Sequence, residues 1–407
     1  ELTCAGQPSV RAAATRILMP EFAPSTGVTA LVLHTDVMSG PALSFAHRLP
    51  LTAEPGERIV LAPGTGPATE LLQQVARVEV TDFGPLKVPG SILGVARQAV
   101  DNLRQTIRFA RAFRRLEVDT VICSSTSTPA ALLAAKLTRK SAVVYCGELL
   151  IQSQDPRRLK RVFAHVVLRF TSLLADAIIC CSDHARRQFP ESAATSTVYP
   201  SIEISTLKEL RSASPPGRRP KTIATIGSLS RARGQDDAIR AFAHVIRSHP
   251  DARLVVAGEP AGPADQAFLK ELRALAKSLD LGHAVEFPGH VDVPDLLAKV
   301  RVVTSCARLD EAFGRVSFEA LAAGCGVVAT DTGGTGELLT SGREVILTRP
   351  DDPEAIASAI ARLLSDEALV SEMTEAADGV LESVDQPRTD KSYLEAIGKV
   401  RAGAGLA

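Results

Sequence analysis

The chain contains no tryptophan, three methionines and only 4% aromatic residues, so Val, Ile, Leu and Ala must fill its core. Net charge is also missing: 46 Lys and Arg balance 46 Asp and Glu, which argues against nucleic acid as the main partner. No run of 18 apolar residues occurs, so no membrane-spanning helix is expected. The seven cysteines include no C-x-x-C pair, which removes the usual sequence support for a zinc or redox centre. Six of them sit in or beside apolar runs and read as small core hydrophobes in a reducing, cytoplasmic compartment. Residues 1–28 show no uninterrupted apolar stretch after a basic start, open on Glu, and are assigned no function.

What is present is length and alternation. At 407 residues, 45% of them hydrophobic, the chain exceeds one ordinary core and reads as two domains. From residue 29 onward, short β-branched runs alternate with longer segments of helical spacing, the pattern of parallel sheets covered by helices. The first half gives strands near 29–35, 58–62, 77–83, 119–125, 141–147 and 177–182. The second gives strands near 221–227, 252–258, 284–289, 301–306, 326–330 and 344–347, with helices between, the last spanning 366–383. Between the halves, Ser212-Ala-Ser-Pro-Pro-Gly-Arg-Arg-Pro220 is rich in proline, and 206–220 reads as an interdomain linker without apolar period. The expected division is therefore an extension (1–28), an N-terminal Rossmann-like domain (29–205), the linker (206–220), a second Rossmann-like domain (221–385) and a tail (386–407) whose segment Lys391–Arg401 could be a helix crossing back. Ligands of open parallel sheets sit beyond the carboxyl ends of the strands, so chemistry is sought in the loops that follow them.

One such loop stands out. Glu311-Ala-Phe-Gly-Arg-Val-Ser-Phe-Glu319 follows a strand, and Gly314 permits a tight bend into a run of good helix formers. A helix N-terminus at Gly314–Val316 offers free N–H groups and a positive dipole end to an anion such as a diphosphate. Glu311 lies before the helix, and Glu319 shares a face with Arg315 by i, i+4 spacing. A second loop, Gly227-Ser-Leu-Ser-Arg231-Ala-Arg233-Gly234, brings two arginines suited to clamping phosphate. Ser39-Gly40-Pro41 follows the first strand, where a small residue lets a ligand come close. Thr332-Gly-Gly-Thr-Gly-Glu337 is a turn before a short helix. Two glycine patterns suggest dinucleotide binding: Gly324-Cys-Gly-Val-Val-Ala329 precedes a strand instead of following one, and Gly64-Thr-Gly-Pro-Ala-Thr69 ends in Thr after the second strand. Neither has the required context.

Glu311 and Glu319, followed by Ala-Leu-Ala-Ala-Gly, a Val-Val-Ala-Thr strand and Gly-Gly-x-x-Glu, resemble the E-x7-E block of the family 4 glycosyltransferases, retaining enzymes of GT-B fold. The likeness covers about 221–365, including Ala257-Gly-Glu259 and Phe287-Pro-Gly-His290, and extends more weakly over 29–205 through Gly40, Tyr145-Cys-Gly-Glu148 and Asp176-Ala-Ile-Ile. The resemblance implies an α/β fold of two Rossmann-like domains facing across a cleft. Glu319 would bind the donor's ribose, Glu311 would sit near the transferred sugar, and Arg233 would neutralise the diphosphate. Backbone groups of Ala312, Phe313, Gly314, Arg315 and Val316 would contact sugar and phosphates, and Gly40 would face the diphosphate from across the cleft. Glu311 and Arg233 are the expected catalytic pair. Ser228 stands where the family often has Arg, a place Arg231 could serve from three residues on. The family's His after the fourth strand is replaced by Ser124-Ser-Thr-Ser127, which leaves sugar contacts on that side open.

The implied reaction is transfer of a hexose-type sugar from a UDP- or GDP-linked donor to a glycan, lipid-linked or small-molecule acceptor. No D-x-D motif follows a strand, so no metal and no cofactor are expected, and the leaving diphosphate would be stabilised electrostatically. Alternatives are a catalytically silent nucleotide-sugar-binding protein, or an epimerase or hydrolase on the same fold. His290 reads equally as a surface turn or as part of the base pocket, and Glu337 as a cap of its own helix or a donor contact. Residues 1–205 hold 22 Lys and Arg against 17 Asp and Glu, concentrated as Arg97, Arg104, Arg108, Arg111, Arg114 and Arg115 on one helix and Arg157, Arg158, Lys160, Arg161 and Arg169 on the next. Both a solvated face and contact with an anionic membrane fit that pattern.

Overall fold

The computed structural model describes residues 27–37, 40–52, 57–86, 92–152 and 158–403; Cys4, Ser39, Arg157 and most of the 1–28 extension lie outside them. The first domain runs β1 (Val28–Val32), α1 (Gly40–Thr52), β2 (Arg58–Ala62), α2 (Pro67–Gln73), β3 (Arg77–Val80), α3 (Ile92–Arg115), β4 (Val118–Cys123), α4 (Pro129–Leu137), β5 (Ser141–Cys146), α5 (Arg158–Leu174), β6 (Ala177–Cys180), α6 (Asp183–Arg186) and β7 (Thr195–Thr197). Its seven strands pair in the order β3-β2-β1-β4-β5-β6-β7, all parallel. Right-handed crossovers in this order place α3, α4 and α5 side by side on one face, and α1 and α2 on the other. Central strands buried on both faces explain their unbroken apolar runs, Val-Ile-Cys in β4 and Ala-Val-Val-Tyr-Cys in β5.

After α7 (Ile204–Ala213) comes the second domain: β8 (Thr222–Ile226), α8 (Gln235–Ser248), β9 (Arg253–Ala257), α9 (Pro263–Ser278), β10 (Val285–Gly289), α10 (Val293–Leu297), β11 (Val302–Ser305), α11 (Arg315–Ala322), β12 (Gly326–Thr330), α12 (Thr335–Leu338), β13 (Ile346–Thr348), α13 (Pro353–Ser365), α14 (Glu367–Ala376), α15 (Asp378–Leu381) and α16 (Gln386–Gly403). Its sheet is parallel in the order β10-β9-β8-β11-β12-β13. The six described cysteines are buried and free. Burial pushes the Cys123, Cys181 and Cys306 thiols up to about 12.

Three expectations need correction. The 206–220 segment is mostly helical: α7 covers its first half and a 3₁₀ turn spans Pro216–Arg218. Ile204, Leu207 and Leu210 supply the apolar period, and a window opening at 206 omits the first of them. Nor is its end free, because the buried Arg219 donates to the carbonyls of Ser214, Leu297, Val300 and Ala323. The single helix expected over 366–383 is two, α14 and α15, meeting at Ala377. β7 was not expected, because Thr195-Ser-Thr197 has no apolar residue; it pairs as an edge strand with β6.

Helix α16 packs on β5, β6 and α1 of the first domain. The Asp390 carboxylate accepts from Arg48 Nε (3.3 Å) and meets His47 Nε2 (2.6 Å), while the buried Arg48 guanidinium lies 4.9 Å from the Tyr393 ring centroid. The chain thus passes between the domains twice, and the two crossings pair through Ile202 N to Val384 O and Gln386 N to Ile202 O.

Candidate functional site

The loop between β11 and α11 forms the floor of the site. Gly314 caps α11 at φ +83°, a left-handed conformation that favours glycine; a Cβ there would stand 2.7 Å from Thr335 Oγ1. The Gly-Gly turn presses on the same loop: Cβ atoms at Gly333 and Gly334 would lie 2.2 Å from the Glu311 carbonyl and 2.3 Å from the Ala312 carbonyl. Gly334 N donates to Glu311 O at 2.7 Å. The two motifs are therefore one structure, in which the glycines form a mould for Glu311 and Ala312.

The Glu311 side chain, 10% exposed, pairs with the Arg233 guanidinium and accepts from Ser305 Oγ at 3.4 Å. Burial pulls the Arg233 pKa below its ordinary value, although 43% of the side chain reaches solvent. A guanidinium keeps its charge under such a shift. One turn on, Arg315 Nε donates to Glu319 Oε1 at 2.6 Å, leaving Oε2 without a protein partner among the described residues. Arg233, Glu311, Arg315 and Glu319 thus gather at the N-terminus of α11, beside Phe313, Gly314 and Val316.

The other expected residues divide. Ser228 is exposed, and its carbonyl accepts from Gln235 Nε2 at 3.0 Å. Arg231 is not brought to the cluster: its guanidinium turns outward to the Glu271 carboxylate at 2.5 and 2.6 Å and lies over the Phe268 ring. Its side chain is 67% exposed and paired with a carboxylate that is itself 52% exposed. His290 is exposed beyond β10, the outer strand of its sheet. Gly40 opens α1, and a Cβ there would meet nothing within 4 Å, so the space beside it is open.

Arg308 belongs to no motif of the sequence, yet it anchors the site. Its guanidinium holds Asp236 bidentately (2.7 and 2.8 Å), Asp237 (2.6 Å) and Asp351 (2.5 Å), and donates to the Arg231 carbonyl at 3.2 Å. Hydrogen bonds to Asp236 raise its pKa above the ordinary value, whereas burial raises that of Asp237. This knot ties the Arg231–Arg233 turn to the Glu311 loop and so positions the Arg233–Glu311 pair. Aspartates clustered around an arginine give no periodic signal that a sequence could show.

Glu337 neither caps its own helix nor lies free for a donor. Its carboxylate reaches the first domain, accepting from Asp183 N (2.9 Å), His184 N (2.7 Å) and Tyr199 Oη (2.8 Å). It thereby satisfies the open N–H groups of α6. Ser182 Oγ donates to the Ala312 carbonyl at 2.5 Å, and the Tyr199 ring lies 5.6 Å from that of Phe313. Burial and the Glu337 carboxylate push the Tyr199 pKa up. The carboxyl end of β6 thus meets the Glu311 loop directly.

In the first domain, the Ser124–Ser127 loop after β4 lacks a histidine but has another use. Glu148 Oε1 accepts from Ser125 Oγ (2.7 Å), Thr126 N (2.8 Å) and Thr126 Oγ1 (2.6 Å). His34, from the loop after β1, meets Ser124 Oγ through Nδ1 at 2.8 Å. Burial pulls its pKa below the ordinary histidine value, against the raising influence of Glu148. An imidazole and a carboxylate therefore stand together at the carboxyl ends of β1 and β5, and the histidine comes from the loop after β1 instead of the loop after β4.

Comparison with known proteins places these features. Residues 208–379 match the family described as glycosyl transferases group 1. The chain is 28% identical over 293 residues to an exopolysaccharide phosphotransferase of Streptomyces coelicolor, covering 70% of this chain and 29% of that protein. It is 31% identical over 198 residues to a D-inositol 3-phosphate glycosyltransferase of Corynebacterium jeikeium, covering 48% of this chain and 46% of that protein. The chain thus spans less than half the length of these curated relatives. Among solved structures, Anabaena HepE in complex with UDP and glucose superposes with a TM-score of 0.73 at 21% identity, over 91% of this chain and 99% of that one. Sucrose-phosphate synthase of Thermosynechococcus elongatus gives 0.69 at 17% identity, over 93% and 100%. The architecture is the GT-B fold.

Proposed function

We propose that the protein is a retaining glycosyltransferase that moves a hexose-type sugar from a UDP- or GDP-linked donor to a hydroxyl of a glycan, lipid-linked or small-molecule acceptor. The observation that carries this reading is the cluster of Arg233, Glu311, Arg315 and Glu319 around the N-terminus of α11. Two carboxylates, two guanidinium groups and open N–H groups match what a nucleoside diphosphate sugar presents: a ribose diol, a diphosphate and sugar hydroxyls. Glu319, tethered through one oxygen by Arg315, keeps the other for the ribose. Arg233 exchanges part of its pairing with Glu311 for the diphosphate, and Glu311 then accepts from the sugar's hydroxyls. Gly40 approaches the diphosphate from the first domain, and Ser228 and His290 line the outer rim.

In the reaction, the bond between the anomeric carbon and the diphosphate oxygen breaks and a bond from the acceptor oxygen forms. Negative charge grows on the leaving diphosphate, where Arg233 and the α11 N–H groups stabilise it without a metal. The acceptor hydroxyl's proton passes to the departing diphosphate oxygen as the new bond forms, and His34 and Glu148 stand on the acceptor side to orient that hydroxyl. Retention of anomeric configuration is supported by the likeness of the Glu311–Glu319 block to the family 4 enzymes. The test is a panel of UDP- and GDP-hexoses incubated with simple glycan and lipid-linked acceptors in chelator, with products read by mass spectrometry. A glycosylated acceptor of retained configuration supports the reading. Donor consumed equally without acceptor would point to a hydrolase or epimerase instead.

A further inference from the structure

The face of the first domain built by α3, α4 and α5 is unlike the rest of the surface. Seven of the twelve large hydrophobic side chains exposed among the described residues lie on these three helices. On α3, Val100, Leu103 and Ile107 fall within about 60° of the helix circumference, and Arg111 and Arg114 continue the same line. Arg104 and Arg108 flank it. On α5, Val162, Val166 and Leu173 project outward in a line that includes Arg169. These six apolar side chains are 45% to 78% exposed, and Leu137 at the end of α4 lies between the two rows. Helix α3 carries six arginines against one aspartate, and α5 carries four basic residues and no acidic one. On α3, the pairs of Arg104 with Asp101, Arg108 with Asp82 and Arg115 with Glu79 leave each arginine at least 48% exposed.

We propose that this face docks on an anionic lipid surface, its apolar rows entering the headgroup boundary and its arginines meeting lipid phosphates. Neither feature alone requires this. A solvated basic face has no use for seven exposed hydrophobics, and an apolar patch that binds a second copy of the chain would set arginine rows against each other across the two-fold axis. An anionic bilayer answers both, taking the apolar side chains and neutralising the charge. No described helix is long and apolar enough to cross a membrane, so docking would be peripheral. In a parallel α/β domain each helix starts near the carboxyl end of the strand before it. The α4 and α5 starts therefore lie at the edge that carries Glu148, and a docked surface would run beside the cleft. The proposal needs no assumption about the reaction.

The test is co-sedimentation of the whole protein with vesicles of phosphatidylcholine alone or mixed equally with phosphatidylglycerol. Wild-type protein is expected to pellet with the mixed vesicles, weakly or not at all with phosphatidylcholine, and less as salt rises. Leu103→Glu with Ile107→Glu, and separately Arg111→Glu with Arg114→Glu, should each weaken partition about ten-fold or more, with unchanged circular dichroism and thermal midpoint. Binding that ignores phosphatidylglycerol, or variants that bind as wild type does, would overturn the proposal. So would sedimentation velocity showing dimers that the same substitutions dissociate, because the face would then belong to a second copy.

Discussion

Replacing Arg308 by leucine tests how the site loop is held. The substitution keeps a stem of similar bulk and removes the guanidinium that neutralises Asp236, Asp237 and Asp351. The contact with Asp351 counts for little, since that carboxylate is 67% exposed. Asp237 is the costly partner, with a side chain 6% exposed. Breaking a buried pair costs about 3–5 kcal/mol; because Arg308 itself is partly exposed, we expect the lower end, about 3 kcal/mol at neutral pH. For a domain of this size that lowers the thermal midpoint by roughly 6–12 °C. The pH dependence carries a sign. Asp237 already has a raised pKa, from burial, and Arg308 is the main influence lowering it. Without Arg308 the folded-state pKa rises further, so the variant's deficit is largest at neutral pH and shrinks as acid protonates Asp237. Thermal melts of wild type and variant across pH 4–8, about the range in which a raised carboxyl titrates, provide the assay. A variant as stable as wild type at neutral pH, or a deficit equal at all pH values, would refute the reasoning.

Three further outcomes are expected. Glu337→Gln removes the charge shared by Asp183 N, His184 N and Tyr199 Oη, a loss of about 2 kcal/mol and roughly a thirty-fold shift toward an open cleft; small-angle scattering should show a larger radius of gyration, and an unchanged radius would discount the clamp. Gly334→Ala places a Cβ against the Ala312 carbonyl, where only backbone could yield, and should cost about 1–3 kcal/mol while displacing the Glu311 loop; full donor affinity in a stable variant would contradict the mould. The lowered pKa of His34 means its stabilising contribution is present above 6.5 and is lost as pH falls through its folded value. His34→Asn should therefore flatten the acid side of the stability profile, and parallel profiles would show that the imidazole does not titrate there.

The parts of this fold legible in sequence were those with a period. Buried strands such as β5 and β12 announce themselves as short β-branched runs, and α11 by the glycine and helix formers that open it. The alternation fixes a parallel sheet because each crossover must be right-handed. What the chain hid was of two kinds. β7 lacks any apolar residue and exists through pairing with β6, and the period of α7 was hidden by a boundary set at the prolines. The other kind was tertiary. Glu337 was legible as a motif residue, yet its role depends on α6, more than 150 positions away. Arg231 and Arg233 are equivalent in sequence, and only Glu271 and Glu311 decide which turns outward and which inward. His34 becomes a partner of Ser124 because β1 and β4 are neighbours, which strand order settles and spacing does not.

The central claim is that the N-terminus of α11, with Glu319 and Arg233, is a nucleoside diphosphate site. Calorimetric titration of UDP and GDP, in chelator, into wild-type protein and Glu319→Ala tests it most directly. The account predicts that one of the two nucleotides binds wild type and that the variant binds it at least about ten-fold more weakly, the loss expected for a charged hydrogen bond. Failure of both nucleotides to bind, or equal binding by the variant, would contradict it.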